Sequence, residues 1–190
     1  RREPIVSDLT TRFIVPGKTL AEISKLLKEE DEEAYLALSQ KHIVFRIGGY
    51  YVVSRLLEGE FLDYNAAIPK VSKTTVKINT RSLTDAVERT SLLISDRLRS
   101  PIRLSAMDQK VQLNCSTSMG KAHDEVDCEM SGEAVSMGFN NKYLMDALKA
   151  SDCDMVKLEI NGALSPMRIL PLEGESFLFL VLPVRVKNDD

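Results

Sequence analysis

The sequence predicts an α+β fold in which one β-α-β-β-β unit occurs three times. An amphipathic helix follows a short apolar strand at three places, and stretches of alternating apolar and polar residues follow each helix. The helices start near Gly17, Asn79 and Asn140, which are 62 and 61 residues apart. This spacing is too long for a solenoid repeat. It favours duplication of a larger unit, with antiparallel sheets and helices packed on one face.

The first unit begins with a predicted strand at residues 13–17. Leu20, Ile23 and Leu27 follow at i, i+3 and i+7, which places them on one face of a helix. Gly48 and Gly49 are typical of a hairpin turn between two strands. The three strands after the helix are predicted at residues 35–38, 43–47 and 50–56.

The second and third units repeat this order. Asn79 and Asn140 are predicted N-caps, because an asparagine side-chain oxygen can accept from a free backbone N–H. The second helix carries its apolar face on Leu83, Ala86, Val87, Thr90 and Ile94, and the third on Tyr143, Leu144, Ala147 and Leu148. The predicted strands are residues 76–79, 102–106, 111–115 and 125–129, then 135–140, 156–160, 167–170 and 176–184.

Residues 61–70 break the repeating pattern, and residues 71–74 are short and polar. We therefore predict two domains, residues 1–69 and 70–190. One unit lies in the first domain and two units lie in the second.

The composition restricts the classes of function. The formal net charge is −3, so any contact with nucleic acid needs a local basic face. The longest strongly apolar stretch, residues 177–184, is too short for a membrane span. No signal peptide opens the chain, and we expect a cytoplasmic protein without a membrane partner. A start at Arg1 without Met is consistent with a piece of a longer chain.

Catalytic and metal-binding patterns are not found in the sequence. The three cysteines fit neither a disulfide framework nor a zinc site, and we expect reduced, mostly buried thiols. His123 lies five residues before Cys128, so the two would face opposite sides of a strand. The acidic run at residues 29–33 cannot converge on one ion without a loop of the EF-hand type. We expect a binding protein with no cofactor, no metal and no enzymatic activity.

Five motifs, in chain order, resemble the bacterial DNA polymerase III beta subunit, the beta sliding clamp. The segment at residues 57–64 with Ile68-Pro69 is similar to that family's linker into the third domain, although Leu62 stands where the family commonly has Pro. Residues 138–148 resemble its G-F-N-x-x-Y-(L/V)-x-(D/E)-x-L helix start. The other matches are residues 88–93, 165–169 and 182–186.

The resemblance implies a piece of a processivity factor that encircles duplex DNA and tethers polymerases and repair proteins. The family's ring has six domains from two three-domain chains, with helices lining the central hole. This chain resembles the second half of the middle domain and the whole third domain, without the first domain or the T-D-G-(H/Y)-R-L stretch. The alternative is a self-contained α+β module for dimerisation or peptide binding, without a DNA role.

The resemblance also implies a groove for partner peptides with apolar anchors. Carried over by motif, its residues are Leu62, Ala66, Ala67, Asn140, Tyr143, Leu164, Pro166, Leu180, Leu182, Pro183, Val184 and Arg185. The residues alone also allow an ordinary interpretation, in which Leu180 and Leu182 are strand core and Pro183 ends the strand.

Two further surfaces follow from the resemblance. Sequence-independent contact with duplex DNA is expected from cations on the helices, although nearby carboxylates also allow an ordinary solvated face. The predicted DNA-binding residues are Lys18, Lys25, Arg81, Lys142 and Lys149. The predicted interface of a full-length homodimer is Leu92, Leu93, Asp124 and Glu125. The other implied partners are DNA polymerase III and further clamp-binding proteins.

Overall fold

A computed structural model describes residues 1–5, 10–28, 33–94 and 100–185 of the chain. Contacts divide it into two bodies. Ile5–Asp63 forms the first body, and Arg1–Pro4 with Tyr64–Asp190 forms the second. Most of the predicted acidic run, Glu29 to Glu32, and Val186 of the C-terminal motif lie outside the described residues.

In its described residues the first body has one helix and a three-stranded antiparallel sheet. Its elements are α1 (Gly17–Leu26), β1 (Ala34–Leu38), β2 (His42–Ile47) and β3 (Tyr50–Arg55), with the strands in the order β1-β2-β3. The core is small and consists of Ile23, Ile43, Phe45 and Ile47. The predicted strand at 13–17 is wrong in extent. Only Ile14 pairs, in one bridge with Leu57, and Pro16, which has no N–H, precedes the helix.

The part of the second body that the structure describes contains twelve regular elements after a 3-10 turn at Tyr64–Ala67. The elements of its first unit are β4 (Thr74–Asn79), α2 (Thr80–Ser91), β5 (Ile102–Met107), β6 (Lys110–Thr117), β7 (Gly120–Asp127) and β8 (Glu129–Gly132). Those of its second unit are β9 (Val135–Phe139), α3 (Asn141–Lys149), β10 (Met155–Ile160), β11 (Met167–Pro171), β12 (Phe179–Val181) and β13 (Pro183–Val184).

The two units of the second body exchange their first strands. The strand orders are β12-β11-β10-β4-β8 and β13-β9-β5-β6-β7, so β4 lies beside β10 and β9 lies beside β5. Every pairing is antiparallel. Helices α2 and α3 contact each other, and one apolar core joins both units. The predicted α+β class with antiparallel sheets is confirmed.

Two predicted strands, 125–129 and 176–184, are wrong as single strands. Each is a pair of short strands that belong to different sheets: β7 and β8 meet at Cys128, and β12 and β13 meet at Leu182. The chain leaves one sheet and enters the other at these residues. The second helix also stops earlier than predicted, at Ser91, so Ile94 lies outside it.

The predicted N-caps of α2 and α3 are confirmed. The Asn79 side chain accepts a hydrogen bond from the Ser82 backbone N–H at 2.9 Å, and the Asn140 side chain accepts from the Lys142 backbone N–H at 2.9 Å. Each cap satisfies one of the free donors at a helix start. It thereby fixes the point at which a strand of one sheet turns into a helix.

Gly132 provides a test of how tightly β8 lies against β4. Its φ is +100°, and an added Cβ would lie 2.0 Å from the Lys73 carbonyl oxygen. Gly162 has a φ of +131°, but an added Cβ there meets nothing within 4 Å. We expect Gly162→Ala to lower the free energy of unfolding by about 1–3 kcal/mol through backbone strain alone. Gly132→Ala should cost clearly more, because the backbone must also move. Urea unfolding of both variants measures the difference, and equal losses would refute the close approach.

Candidate binding sites

Leu182 lies where the last part of the chain crosses from one sheet to the other. Before it, Val181 pairs with Met167, and after it, Pro183 pairs with Phe139. If the pairing of β11 with β12 is continued by one residue, Leu182 lies opposite Pro166. If the pairing of β9 with β13 is continued by one residue, Leu182 lies opposite Asn140. Its side chain is 63% exposed. The interpretation of Leu182 as strand core is therefore wrong.

Other apolar side chains are exposed close to Leu182 in the fold. Tyr143 lies one turn into α3 after Asn140, and Leu164 lies in the loop that leads to Pro166 and β11. We call this set the C-terminal apolar surface: Tyr143, Leu164, Pro166, Leu180, Leu182, Pro183 and Val184. Leu180, Pro166 and Pro183 are half-buried, and the other four side chains are exposed. An exposed apolar group of this kind is typical of an interaction site.

The remaining residues predicted for the groove have different surroundings. Ala66 and Ala67 are exposed in the 3-10 turn, and Leu62 is exposed in the first body. Asn140 uses its side-chain oxygen to cap α3, so it has a structural role whatever else it does. Their membership in a peptide site stays a prediction.

Arg185 lies at an open cavity of about 680 Å³ that sequence reasoning missed. The lining residues of the second body are Pro101, Arg103, Ser105, Asn114, Cys115, Ser116, Lys121, Ala122, His123 and Arg185. Arg103, Asn114 and His123 lie in one row across β5, β6 and β7, where His123 Nδ1 and Asn114 Oδ1 are 2.8 Å apart. No acidic residue occurs among these described lining residues, so the cavity favours an anionic group.

The predicted DNA-binding cations recur at equivalent helix positions. Lys18, Arg81 and Lys142 are each the second residue of their helix, and no acidic residue occurs in the first turn of any of the three helices. A cation at the positive end of the helix dipole does not stabilise the helix. It does suit an anion-binding role, because the free N–H groups of a helix start also attract phosphate.

The other two predicted cations, Lys25 and Lys149, each lie in the last turn of their helix. Lys25 Nζ contacts Glu22 Oε1 at 2.8 Å, and Arg81 Nε lies 4.0 Å from Asp85 Oδ2. Exposed ion pairs of this kind are weak and are screened by salt. They therefore leave both cations able to contact a phosphate.

The residues predicted for the dimer interface already have contacts within the second body. Leu92 is exposed and Leu93 is half-buried beside Gly120, both just past the end of α2. Arg89 Nε donates to Asp124 Oδ2 at 2.7 Å, and this hydrogen bond holds the pKa of Asp124 below its usual range. Glu125 forms an ion pair with Lys110. Both acids thus have cation partners inside the body.

The thiols and imidazoles do not assemble into a reactive group in the described part of the chain. Burial raises the pKa of the Cys115 and Cys128 thiols, which disfavours the nucleophilic thiolate at neutral pH. Residues 1–5, 10–28, 33–94 and 100–185 contain no group of three or more His, Cys, Asp or Glu side chains able to hold a metal ion. None of the described helices is long and apolar enough to cross a membrane.

Comparison with known families matches both bodies to one protein. The family model for the DNA polymerase III beta subunit, C-terminal domain, matches residues 65–185, and that for the central domain matches residues 3–63. The beta sliding clamp of Staphylococcus aureus is 34% identical over 174 residues, which cover 90% of this chain and 46% of that protein. The chain thus spans about half the length of the curated relatives it matches.

Solved structures of sliding clamps are similar in fold. The DNA polymerase sliding clamp of Bacillus subtilis superposes with a TM-score of 0.89 at 30% identity, covering 96% of this chain and 49% of that one. The sliding clamp of Bartonella birtlesii, solved bound to griselimycin, superposes with a TM-score of 0.82 at 29% identity, covering 92% and 47%.

The contribution of the Asn140 cap to stability can be measured separately from any role of Asn140 in binding. We expect Asn140→Ala to lower the free energy of unfolding by about 0.5–2 kcal/mol, because a helix donor loses its partner. Asn79→Ala removes the equivalent cap of α2 and also the hydrogen bonds of Asn79 with the Ser82 hydroxyl and the Asp154 carbonyl oxygen, so it should cost at least as much. Asn140→Asp keeps an accepting oxygen and should stay near the wild-type value. Urea unfolding measures all three variants, and an unchanged stability for Asn140→Ala would contradict the capping role.

Proposed function

The chain belongs to the DNA polymerase III beta subunit family, and from that premise we propose that it forms part of a replication sliding clamp. In this proposal residues 1–69 are the second half of the clamp's middle domain and residues 70–190 are its third domain. The protein encircles duplex DNA and tethers polymerases and repair proteins. It acts in the cytoplasm by binding, without catalysis or a cofactor.

The C-terminal apolar surface is the observation that carries the peptide-binding part of the proposal. Leu182 is exposed at a crossing between two sheets, with Tyr143 and Leu164 exposed nearby. A leucine or phenylalanine anchor of a partner peptide that is buried there contributes about 1.5–3 kcal/mol. An extended peptide can use such side-chain pockets beside a strand. Ala66, Ala67 and Asn140, which lie in the second body like Leu182, complete the proposed groove.

The open cavity at Arg185, which we call the basic cavity, shares that residue with the proposed groove. Arg103, Lys121 and Arg185 line it without a carboxylate among the described lining residues. A carboxylate next to the apolar anchors of a partner peptide would find charge-assisted donors there. We therefore propose that the preferred peptides combine apolar anchors with an acidic residue.

The helix cations support the DNA-binding part of the proposal. Lys18, Arg81 and Lys142 occupy the same helix position in three units, and Lys25 and Lys149 share a second position. Phosphate contacts of this kind carry no base information, which suits a protein that must slide. Unassisted nonspecific binding through a few such contacts is weak, with a Kd on the order of 10⁻⁴–10⁻⁶ M.

Assembly of the full-length protein is a further part of the proposal. Leu92 and Leu93 form the apolar part of the surface through which two full-length chains close a ring, and Asp124 and Glu125 form its acidic edge. The exposed side chain of Leu92 supports this assignment. DNA polymerase III and other clamp-binding proteins are the proposed partners of the closed ring.

Leu182→Asp tests the groove. A labelled peptide of sequence Gln-Leu-Ser-Leu-Phe supplies the apolar anchors, and fluorescence anisotropy reports its binding. We expect the variant to bind at least about tenfold more weakly, because the leucine contacts are lost and a carboxylate must be desolvated. Circular dichroism should show an unchanged fold, since the side chain is exposed.

Leu172→Asp is the matched control for Leu182→Asp. Leu172 is also an exposed leucine, but it follows β11 at the end of the sheet away from Pro166. Its substitution should leave the peptide affinity unchanged. Equal losses in the two variants, or none in Leu182→Asp, would show that the groove is elsewhere.

Charge reversal at two helix starts tests the DNA surface. The double variant Arg81→Glu, Lys142→Glu should bind duplex DNA more weakly than wild type. Two lost phosphate contacts should also reduce the slope of log K against log salt by about 2. Anisotropy titrations of a labelled duplex at several salt concentrations give both quantities.

The control for this variant is Arg103→Glu, Lys121→Glu. It makes the same change in net charge on the sheet face that carries the basic cavity, away from the helices. A DNA affinity that falls equally in both double variants would reflect net charge alone, and would contradict a DNA surface on the helices.

A further inference from the structure

The basic cavity lies on the face of the β13-β9-β5-β6-β7 sheet that points away from the core. Arg103, Asn114 and His123 are paired directly across β5, β6 and β7, so their side chains share this face. Lys121 lies two residues before His123 and therefore points the same way. Leu104, the next residue after Arg103, is fully buried on the opposite face.

Carboxylates neutralise most arginines in the described part of the second body. The paired ones are Arg1, Arg2, Arg81, Arg89 and Arg168. Among the described arginines of this body, Arg103 and Arg185 alone have no such partner, and both line the basic cavity. The chain has more acidic than basic residues, 28 against 25, so a shortage of carboxylates does not explain the difference.

The two acids that directly follow His123 on β7 are engaged elsewhere. Asp124 accepts a hydrogen bond from Arg89 Nε at 2.7 Å. Glu125 forms an ion pair with Lys110. Neither acid therefore neutralises the cations of the basic cavity.

The basic cavity also offers neutral hydrogen-bond donors. His123 Nδ1 lies 2.8 Å from Asn114 Oδ1, so the Asn114 amide nitrogen has no partner among the described residues. Ser116 is exposed opposite Lys121, and its hydroxyl likewise has no partner in the described part of the chain. Guanidinium and ammonium groups, together with amide and hydroxyl donors, are the groups that bind phosphate oxygens in proteins.

The spread of these donors favours an extended anion over a single carboxylate. Neighbouring strands lie about 4.8 Å apart, so the backbones at Arg103 and His123 are about 10 Å apart. The volume of about 680 Å³ is that of a small-molecule site, for which about 300–1,000 Å³ is usual. Arg103, Lys121 and Arg185 supply three positive charges. A carboxylate has one negative charge on two oxygens, whereas a diphosphate or triphosphate carries several charges along a chain.

We propose that the basic cavity binds the polyphosphate group of a small molecule. Arg103, Lys121 and Arg185 are its charged contacts, and Asn114 and Ser116 are neutral donors. All these residues belong to the second body, in which both units are present. The inference does not need the proposed clamp function, because neither DNA nor a partner peptide takes part in it.

Isothermal titration calorimetry of the 190-residue chain with sodium tripolyphosphate tests the site. We expect saturable one-to-one binding that weakens as the salt concentration rises. The double variant Arg103→Gln, Lys121→Gln should bind at least about tenfold more weakly, because two charge-assisted contacts are lost. The matched control is Arg81→Gln, Lys149→Gln, which removes the same charge from α2 and α3 and should bind like wild type. Urea unfolding of both variants separates a loss of binding from a loss of fold.

Amide NMR spectra of the wild-type chain locate the bound anion without any substitution. Tripolyphosphate should shift the signals of residues 103, 114–116 and 121–123 most strongly. ATP without a metal ion is titrated in parallel to identify the source of the phosphate chain. Tighter binding of ATP than of tripolyphosphate, lost in the Arg103→Gln, Lys121→Gln variant, assigns the site to a nucleotide, and equal binding assigns it to free polyphosphate.

Three results would overturn the proposal. The first is no binding at about 1 mM tripolyphosphate in about 0.1 M salt. The second is an equal loss of affinity in the two double variants, or NMR shifts that are largest at the helix starts. The third is a penta-aspartate peptide that binds as tightly as tripolyphosphate, which would assign the basic cavity to acidic peptides instead.

Discussion

The exchange of first strands between paired units is the constraint on which the second body depends. Because β4 lies beside β10 and β9 beside β5, neither unit can satisfy its backbone edges or bury its helix alone. The exchange also explains why α2 and α3 share one apolar core and why the chain must cross between sheets at Cys128 and Leu182. The exposed Leu182 at the second crossing is a direct result, so the candidate peptide site is a product of the same topology.

Local sequence patterns predicted most helices and strands, but they did not predict which strands pair with each other. Apolar spacing placed three helices and most strands, and the asparagine caps gave the starts of α2 and α3 to the residue. The crossings were missed because the chain stays extended through Cys128 and Leu182, so the alternation alone does not reveal which sheet a residue joins. The strand predicted at 13–17 was too long because an apolar pattern does not show whether a neighbouring strand is available. In the described residues only Ile14 pairs, with Leu57.

The residues of the candidate sites also differ in how far the sequence could predict them. Resemblance to a family supplied Leu182, Tyr143 and Leu164, whose exposure sets them apart from core residues. The basic cavity was missed because Arg103 and Lys121 come from separate strands and Arg185 comes from the segment after β13. Each is an ordinary solvent-facing cation in its own segment, and only the sheet order brings them together. The recurrence of a cation at the second helical residue was visible in the sequence, but its meaning depends on the helix starts that the structure defines.

The pairing of Thr74 with Ile160 has a consequence for the order of folding. During synthesis β4 leaves the ribosome long before β10, so one edge of β4 must wait for a strand that is far away in the chain. Contacts this distant are slow to form, because a long loop must close before any of them contributes. The second body therefore cannot fold one unit at a time. Its early strands stay without their final neighbours until almost the whole domain has been made, and this interval is when the nascent chain most needs protection from aggregation.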